Sequence, residues 1–342
     1  MKHLQLLLLA LLMVFMACSN NEPKEETSDS KNTEVKKEVK LEGETKLLMD
    51  YLNELGDYAN SRDFPSLIKA SAVYDELGKN ILVIDIRKPE YFNKGHIKGA
   101  VNLDFKDIPE YFESKIKPFE YDKIIIACYS GQYASYTTSL LRLMGYGNVY
   151  SLRWGMSGWN KELAQDNWLN AISSKYENQL ETRDNEKQTI SEFPKLETGK
   201  ATGEEILQAR IKSLFEKGIK VTTIKADSLF VNPANFYIVN YDRKDKYDAG
   251  HIPGAIRYKP KGTLGIKDEM ATLPVDKNIV VYCGTGHSSG FVTAYLQLFG
   301  YKAHTLLYGN NGFMHDKMLA EKDSLSWLPF TEDLIENYPL EK

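Results

Sequence analysis

The chain is poor in cysteine and has no concentrated positive charge. Its 342 residues include only three cysteines, Cys18, Cys128 and Cys283. No tract of basic residues occurs, with or without interleaved aromatic side chains, so we expect no nucleic-acid partner. The longest apolar run, residues 4–17, has 14 residues and is too short to span a bilayer comfortably. We predict no cofactor and no metal site, and Cys128 and Cys283 are the candidate catalytic residues.

The N-terminus has the pattern of an export signal. Lys2 precedes the apolar run, which is interrupted only by Gln5 and ends at Ala17 and Cys18. This ending resembles the lipobox of bacterial lipoproteins. The resemblance implies cleavage before Cys18, lipidation of its thiol and new amino group, and a membrane-anchored lipoprotein of the bacterial cell envelope, facing the periplasm or the exterior. The alternative is an ordinary secretory signal with an incidental cysteine.

Composition and periodicity divide the remaining chain. From residue 20 to residue 44, 13 of 25 residues are charged and none is aromatic, which predicts a disordered tether. Residues near 170–202 are polar and lose periodicity, which indicates a linker. The predicted organisation is a signal peptide (1–17), a lipidated cysteine with tether (18–44), a first domain (45–169), the linker (170–202) and a second domain (203–342).

The two domains repeat one pattern. An apolar run of strand length ends at Cys128, a short loop with a glycine follows, and a helical pattern comes next; the same arrangement surrounds Cys283. The offset is 155 residues, the difference between positions 128 and 283, and it also maps the turn at His96 onto the turn at His251. Strands alternating with helices predict, in each domain, an α/β fold with a doubly wound, mainly parallel sheet.

The position of each cysteine favours a reactive thiol. Amides of a tight loop and of a helix N-terminus favour negative charge on the sulfur, and such settings lower a thiol pKa from its usual value of about 8.5. The alternative is an inert cysteine packed at the end of a core strand. The candidate loop residues are Tyr129, Ser130, Gly131, Gln132, Tyr133 and Ala134 after Cys128, and Gly284, Thr285, Gly286, His287, Ser288 and Ser289 after Cys283.

These features, taken with their order and spacing, resemble a tandem rhodanese. The resemblance is carried by Asp85 and Arg87, the glycine-histidine-isoleucine turn at His96, the cysteine loop, and the segment from Trp154 to Trp159. It implies a sulfurtransferase in which Cys128 and Cys283 accept a sulfane sulfur from a small donor as a persulfide. They then pass it to a thiol or a cyanide-like acceptor.

Departures from the family pattern leave the donor open. Neither loop has the basic residues of thiosulfate-specific members. The second loop is similar to that of mercaptopyruvate sulfurtransferases, but Asn240 and Asp242 replace the aspartate and arginine of the first domain, leaving Arg243 as the nearby cation. Phosphatase chemistry is excluded, because Ala134 and Ser289 stand where an arginine would clamp the oxyanion.

The histidines and the two thiols give further expectations. His96 and His251 are interpreted as structural. His287 is either a proton-transfer or charge partner of Cys283 or a solvated loop residue. We expect both cysteines to be reactive, the two loop tyrosines to restrict entry to the first site, and Cys283 to have the lower pKa because its loop has more donors. A disulfide between Cys128 and Cys283 is not expected.

The sequence therefore predicts a sulfurtransferase of thiosulfate or mercaptopyruvate type. Two alternatives stay open. One is a binding module in which one or both domains hold a partner without turnover, which the loss of the Asp-Arg pair in the second domain favours. The other is a thiol redox protein of the cell envelope.

Overall fold

The computed structural model describes residues 41–189, 192–265 and 269–342. The predicted signal peptide, Cys18 and the tether up to residue 40 lie outside these ranges. Among the described helices, none has the length and apolar character that crossing a membrane requires.

Each half contains one five-stranded sheet in which every neighbouring pair is parallel. The strand orders are β1-β5-β4-β2-β3 and β6-β10-β9-β7-β8, so the second sheet repeats the topology of the first. The predicted α/β fold with parallel sheets is confirmed. The strands are β1 (Leu67–Ile68), β2 (Ile81–Asp85), β3 (Val101–Asn102), β4 (Lys123–Ala127), β5 (Val149–Leu152), β6 (Thr223–Ile224), β7 (Phe236–Asn240), β8 (Ile256–Arg257), β9 (Asn278–Tyr282) and β10 (Ala303–Leu306).

Helices cover both faces of each sheet, which explains why the central strands are continuous apolar runs. Along β4, Ile124 and Ile126 join one buried cluster while Ile125 joins another, as alternation along a strand requires. The helices are α1 (Gly43–Glu54), α2 (Ala70–Tyr74), α3 (Pro89–Phe92), α4 (Ile108–Glu110), α5 (Gln132–Leu143), α6 (Met156–Trp159), α7 (Lys161–Ala164), α8 (Gly203–Lys217), α9 (Ala226–Val231), α10 (Lys244–Ala249), α11 (His287–Leu298), α12 (His315–Ala320) and α13 (Lys322–Leu325).

The two helices that follow the cysteine loops, α5 and α11, pack against each other. Ser139 Oγ donates to the Phe291 carbonyl at 3.1 Å, and Tyr136 Oη donates to Gln297 Oε1 at 2.7 Å. One buried apolar cluster includes residues from both sheets and from both helices. The halves therefore share a core, and they bring the N-terminal ends of α5 and α11 together.

The N-terminal helix α1 packs against α8 of the second half. It begins at Gly43, inside the segment predicted to be tether. Glu44 in its first turn fixes this end of the helix to the segment before α8. Its carboxylate accepts from the Thr198 amide at 2.6 Å and from the Gly199 amide at 2.7 Å, both in the predicted linker. Helix α8 begins with a capping box formed by Thr202 and Glu205.

The segment that follows each domain crosses to the other domain. In the predicted linker, Glu181 and His251 exchange backbone hydrogen bonds of 3.0 and 2.9 Å. At the C-terminus, Glu341 and His96 do the same, at 3.0 and 2.9 Å. Both segments therefore have hydrogen-bond partners on the opposite half.

Candidate active site

Both cysteines lie directly after a central strand, Cys128 after β4 and Cys283 after β9. Parallel strands present their carboxyl ends at one edge of the sheet, which is the usual ligand site of this architecture. The first cysteine loop is residues 128–134 and the second is residues 283–289. Both thiols are free. Cys128 is 0% exposed and Cys283 is 5% exposed, so neither sulfur faces open solvent in this conformation.

The sulfur of Cys128 lies among backbone donors. Gly131 donates its amide to Sγ at 3.1 Å, and Ala134 donates at 3.3 Å. Burial nevertheless raises the pKa of the Cys128 thiol, and the amides of Ala134, Ser130 and Gly131 oppose that rise only in part. The sequence predicted a lowered pKa because loop amides are visible in the pattern, whereas complete burial of the thiol is not.

A glycine in the segment that follows β5 or β10 packs against the backbone of each cysteine loop. Met156 donates its amide to the Cys128 carbonyl at 2.8 Å, and Asn310 donates to the Cys283 carbonyl at 3.1 Å. The preceding glycines, Gly155 and Gly309, pass directly against these carbonyls. A Cβ at Gly155 would lie 2.5 Å from the Cys128 carbonyl and 2.7 Å from the Gly131 nitrogen. The loops therefore require glycine at these two positions.

The second sulfur has a different partner. Cys283 Sγ contacts the Ser289 hydroxyl at 3.8 Å, and Ser289 in turn contacts Thr305 Oγ1 at 2.5 Å. A larger number of loop glycines and hydroxyls in the sequence led to the expectation of more donors here. In the structure the Ser289 hydroxyl is shared between Cys283 Sγ and Thr305.

The charged pair at the end of β2 is present as predicted. Arg87 Nη2 lies 2.7 Å from Asp85 Oδ2, both side chains are buried, and the same nitrogen donates to the Gly95 carbonyl at 2.8 Å. This arrangement ties the turn before His96 to the sheet. A desolvated bidentate pair of this kind is costly to break, because one buried charge is left alone.

The second domain has a different arrangement at the corresponding place. Asp242 is buried and pairs with Lys246 at 3.5 Å, and burial raises the pKa of its carboxyl. A Cβ at Gly284 would lie 3.8 Å from Asp242 Oδ2, so this carboxylate borders the second cysteine loop. Arg243, the nearby cation named from the sequence, donates through Nε to Asp245 Oδ1 at 3.0 Å.

The two turn histidines are held by backbone groups, as a structural role requires. His96 Nδ1 lies 3.1 Å from the Phe92 carbonyl, and its ring stacks on Phe92. His251 Nδ1 lies 2.8 Å from the Tyr247 carbonyl, and its Nε2 lies 3.1 Å from the Arg183 carbonyl.

The structure contradicts two of the sequence interpretations of His287, the solvated loop residue and the charge partner of Cys283. His287 is neither solvated nor positively charged, because it is 1% exposed and burial lowers its pKa to about 3. Its Nε2 accepts a hydrogen bond from the Trp154 amide of the first domain at 3.1 Å. The ring is therefore neutral and reaches away from its own loop, so it is not a cationic partner of Cys283.

The remaining loop residues separate into outward and inward groups. Tyr129 accepts at its hydroxyl from the Lys88 amide at 3.2 Å and borders a cavity of about 260 Å³. Lys88, Tyr91, Asp166 and Asn167 line the rest of this cavity. Tyr133 is half-buried, and Ser288 is half-exposed. Ser130 donates to Gln132 Oε1 at 2.7 Å, and both are buried.

Within the described ranges, no three His, Cys, Asp or Glu side chains converge as a metal site requires.

Sequence reasoning missed the glycines that support the loops and the side chains that cross between them. The sequence contained a signal for the glycines, because the aromatic-glycine pair Trp154-Gly155 recurs as Tyr308-Gly309. In the structure all four residues have positive φ. Likewise, position 132 maps onto position 287 at the offset of 155 residues.

Comparisons with known proteins identify the family of both halves. The model of the rhodanese-like domain matches residues 69–162 and 230–315. The chain is similar to a thiosulfate sulfurtransferase GlpE of Shewanella oneidensis, with 32% identity over 84 residues that cover 24% of this chain and 79% of the relative. A protein of the same name from Tolumonas auensis is 30% identical over 80 residues, 23% of this chain and 73% of that protein. The solved thiosulfate sulfurtransferase of Pseudomonas aeruginosa aligns with 77% of this chain and 45% of its own, at 17% identity and a TM-score of 0.27.

Proposed function

Because this chain belongs to the rhodanese-like family, we propose that it is a sulfurtransferase that carries a sulfane sulfur on a cysteine. The thiolate attacks the outer sulfur of a small donor, a new S–S bond forms, and the donor fragment leaves with the electron pair of the bond that breaks. An acceptor thiolate or cyanide then attacks the persulfide sulfur and releases the cysteine as thiolate. Both half-reactions balance without an external oxidant.

One observation carries the proposal, which is the placement of Cys128 Sγ under the Gly131 and Ala134 amides at 3.1 and 3.3 Å. A thiolate and a persulfide anion are both negatively charged at this position. Fixed amide donors stabilise such charge without reorganising during the reaction. The names of the Shewanella and Tolumonas relatives support sulfur transfer as the chemistry, and thiosulfate as the first donor to test.

Turnover in this proposal requires the site to open. Cys128 is fully buried, so a donor reaches Sγ only after the loop or its cover moves. Opening also hydrates the thiol, which removes the burial effect that raises its pKa while the amides stay in the same loop. Access and ionisation are therefore coupled in a single step.

The second domain has a rival role as a non-catalytic module that supports the first. The observation in its favour is Asp242, a buried carboxylate beside Gly284 where the first domain has an arginine. A negative charge near a thiol disfavours the thiolate. On this alternative, Cys128 turns over and Cys283 does not.

The experiment is persulfide detection in the full chain carrying Cys18→Ala, with Cys128→Ser, Cys283→Ser and the double variant. Each protein is exposed to thiosulfate or mercaptopyruvate, and the adduct is measured by intact mass and cyanolysis. We expect a gain of about 32 Da, one sulfur atom, at each reactive thiol, which each single variant retains at its remaining cysteine and the double variant loses. Adduct in Cys283→Ser but not in Cys128→Ser supports the rival role of the second domain. If neither single variant nor the double variant changes the adduct, sulfur transfer by these thiols is wrong.

The proposed location is a bacterial membrane, with the chain anchored through lipidated Cys18 and facing the periplasm or the exterior. The support is the 14-residue apolar run that ends at Ala17 and Cys18. Cys18→Ala is expected to move the protein out of the detergent phase on fractionation. Persistence of the variant in that phase means that Cys18 is not the anchor.

A further inference from the structure

The two cysteine loops contact each other through side chains at equivalent positions. Gln132 of the first loop and His287 of the second are each 1% exposed. Each begins the helix after its own loop, α5 or α11, and each reaches into the opposite half. The contact is reciprocal, as expected when two copies of a domain face each other.

His287 is fixed in one tautomer by its partners. Its Nε2 accepts from the Trp154 amide at 3.1 Å, so that nitrogen carries no proton in the neutral ring. The proton is therefore on Nδ1, which donates to Thr285 Oγ1 at 2.8 Å. The ring also stands against Gly131, where any added Cβ would collide with its Nε2 and Cδ2 atoms.

These contacts involve the two backbone segments that hydrogen-bond to Cys128. Trp154 begins the turn in which Met156 donates to the Cys128 carbonyl at 2.8 Å. Gly131, on the other side, donates its amide to Cys128 Sγ at 3.1 Å. Through one hydrogen bond and one close packing contact, a histidine of the second domain therefore touches both Trp154 and Gly131.

We propose that His287 is a positioning residue for Cys128, so that the reactivity of the first-domain thiol depends on a side chain from the second domain. This inference rests on the proposed function only in taking the Cys128 thiolate as the reacting group. It gives the second domain a function in the first site whether or not Cys283 turns over.

Gln132 of the first loop makes the equivalent contact with the second loop. Gln132 Nε2 donates to the Thr285 carbonyl at 3.0 Å, and a Cβ at Gly286 would lie 3.0 Å from Gln132 Cγ. Glutamine therefore occupies, at position 132, the place that histidine occupies at 287. This equivalence suggests the conservative substitution for a test, since a glutamine amide reaches as far as the imidazole Nε2.

The test compares His287→Asn with His287→Gln. Asparagine keeps a polar group near Thr285 but is too short to accept from Trp154, whereas glutamine retains that acceptor. The measurement is the iodoacetamide alkylation rate of Cys128 against pH in the full chain, resolved by peptide mass mapping and made without any sulfur donor. We expect His287→Asn to raise the apparent pKa, with alkylation at neutral pH about tenfold slower, the size of one lost bond to an anion. His287→Gln is expected to stay within about twofold of the parent.

The matched control is His315→Asn, which alters another buried histidine of the second domain, bonded to the Phe330 carbonyl at 2.9 Å. Greater exposure of the loop would hydrate the thiol and lower the apparent pKa, which is opposite to the shift expected here, so the pH profile separates the two effects. The proposal is overturned if His287→Asn leaves the apparent pKa unchanged, if His287→Gln fails to restore it, or if His315→Asn shifts it equally. Should His287→Asn not fold, Thr285→Val removes only the hydroxyl bonded to Nδ1; a smaller shift in the same direction supports the proposal, and no shift overturns it.

Discussion

A thiol at the end of a buried strand experiences two opposing effects. Loop amides stabilise its anion, and loss of solvent destabilises the same anion. For Cys128 burial dominates, which raises the pKa even with Gly131 and Ala134 donating to the sulfur. Burial therefore favours the protonated thiol, which is less nucleophilic and less readily oxidised than the thiolate.

The glycine behind the first cysteine loop gives a stability prediction. Gly155→Ala places a methyl group against the Cys128 carbonyl and the Ser130 and Gly131 nitrogens, at a φ of +59°. The control is Gly145→Ala, at a φ of +100° with no atom within 4 Å of the added Cβ. Gly145→Ala is expected to cost roughly 1–2 kcal/mol for its left-handed φ. Gly155 has a ψ of −153°, a backbone region that essentially only glycine adopts, so the strain there is about 1–3 kcal/mol.

Only Gly155→Ala pays a further cost for overpacking, about 1–3 kcal/mol. Urea unfolding of the two variants measures the difference. Equal free energies of unfolding for Gly155→Ala and Gly145→Ala mean that the loop moves aside without cost, and that the glycine is not a requirement of the site.

The buried histidine gives a pH prediction. Burial lowers the pKa of His287 to about 3, while the unfolded chain has a value of about 6.5. Between these values the unfolded state binds more protons, so stability is lost as the pH falls through this window. The slope from this residue is at most about 1.4 kcal/mol per pH unit. His287→Gln removes the titrating group, so urea unfolding from pH 4 to pH 7 is expected to show a flatter dependence. An unchanged slope would mean that the pKa of His287 is the same in the folded and unfolded states, which contradicts the lowered value.

At the scale of elements, the terminal segments connect the two halves in a crossed arrangement. Helix α1 packs on α8, and the C-terminal segment packs on the first domain. There, the Tyr338 amide donates to the Trp159 carbonyl at 2.9 Å, and Trp159 Nε1 donates to the Pro339 carbonyl at 3.1 Å. The packing of each domain therefore includes a segment of the chain that lies outside that domain's own sheet and helices.

Tyr338→Ala tests this crossing. The ring stacks on Tyr74 with centroids 4.0 Å apart and lies 5.1 Å from Trp159, so its removal is expected to cost about 1–2 kcal/mol of stability. The control is Glu332→Ala in the same segment. Its ion pair with Lys161 is exposed on both sides, so we expect at most about 0.5 kcal/mol. Equal effects of the two substitutions in urea unfolding would mean that the segment contributes little to the first domain.

At the scale of the whole molecule, the structure predicts one unfolding transition instead of two. All described residues belong to one compact unit, and a single apolar cluster joins the two sheets through α5 and α11. Exposing either helix alone leaves the apolar face of the other in water. Calorimetry and urea unfolding followed by two probes are expected to give coincident midpoints. Two separate transitions, or a second half that folds alone as residues 203–342, would contradict this prediction.

Local pattern in the sequence determined the α/β fold, the parallel sheets, the repeat, the cysteines at the strand ends and the Asp85–Arg87 pair. The physical reason is range. Strand and helix periodicity, turn glycines and a charged pair two residues apart are all set by neighbours along the chain.

The tertiary structure alone decided which way His287 points, how deeply the two thiols are buried, and where the chain termini pack. His287 meets Trp154 across 133 residues of sequence, and Glu341 meets Gly99 across 242. Contacts at such separations arise from the fit of whole surfaces, α5 against α11 and each trailing segment against the opposite half. Residue patterns within one segment do not encode the surface that the segment will meet, so the neutral histidine and the closed thiols follow from the packing of the two domains.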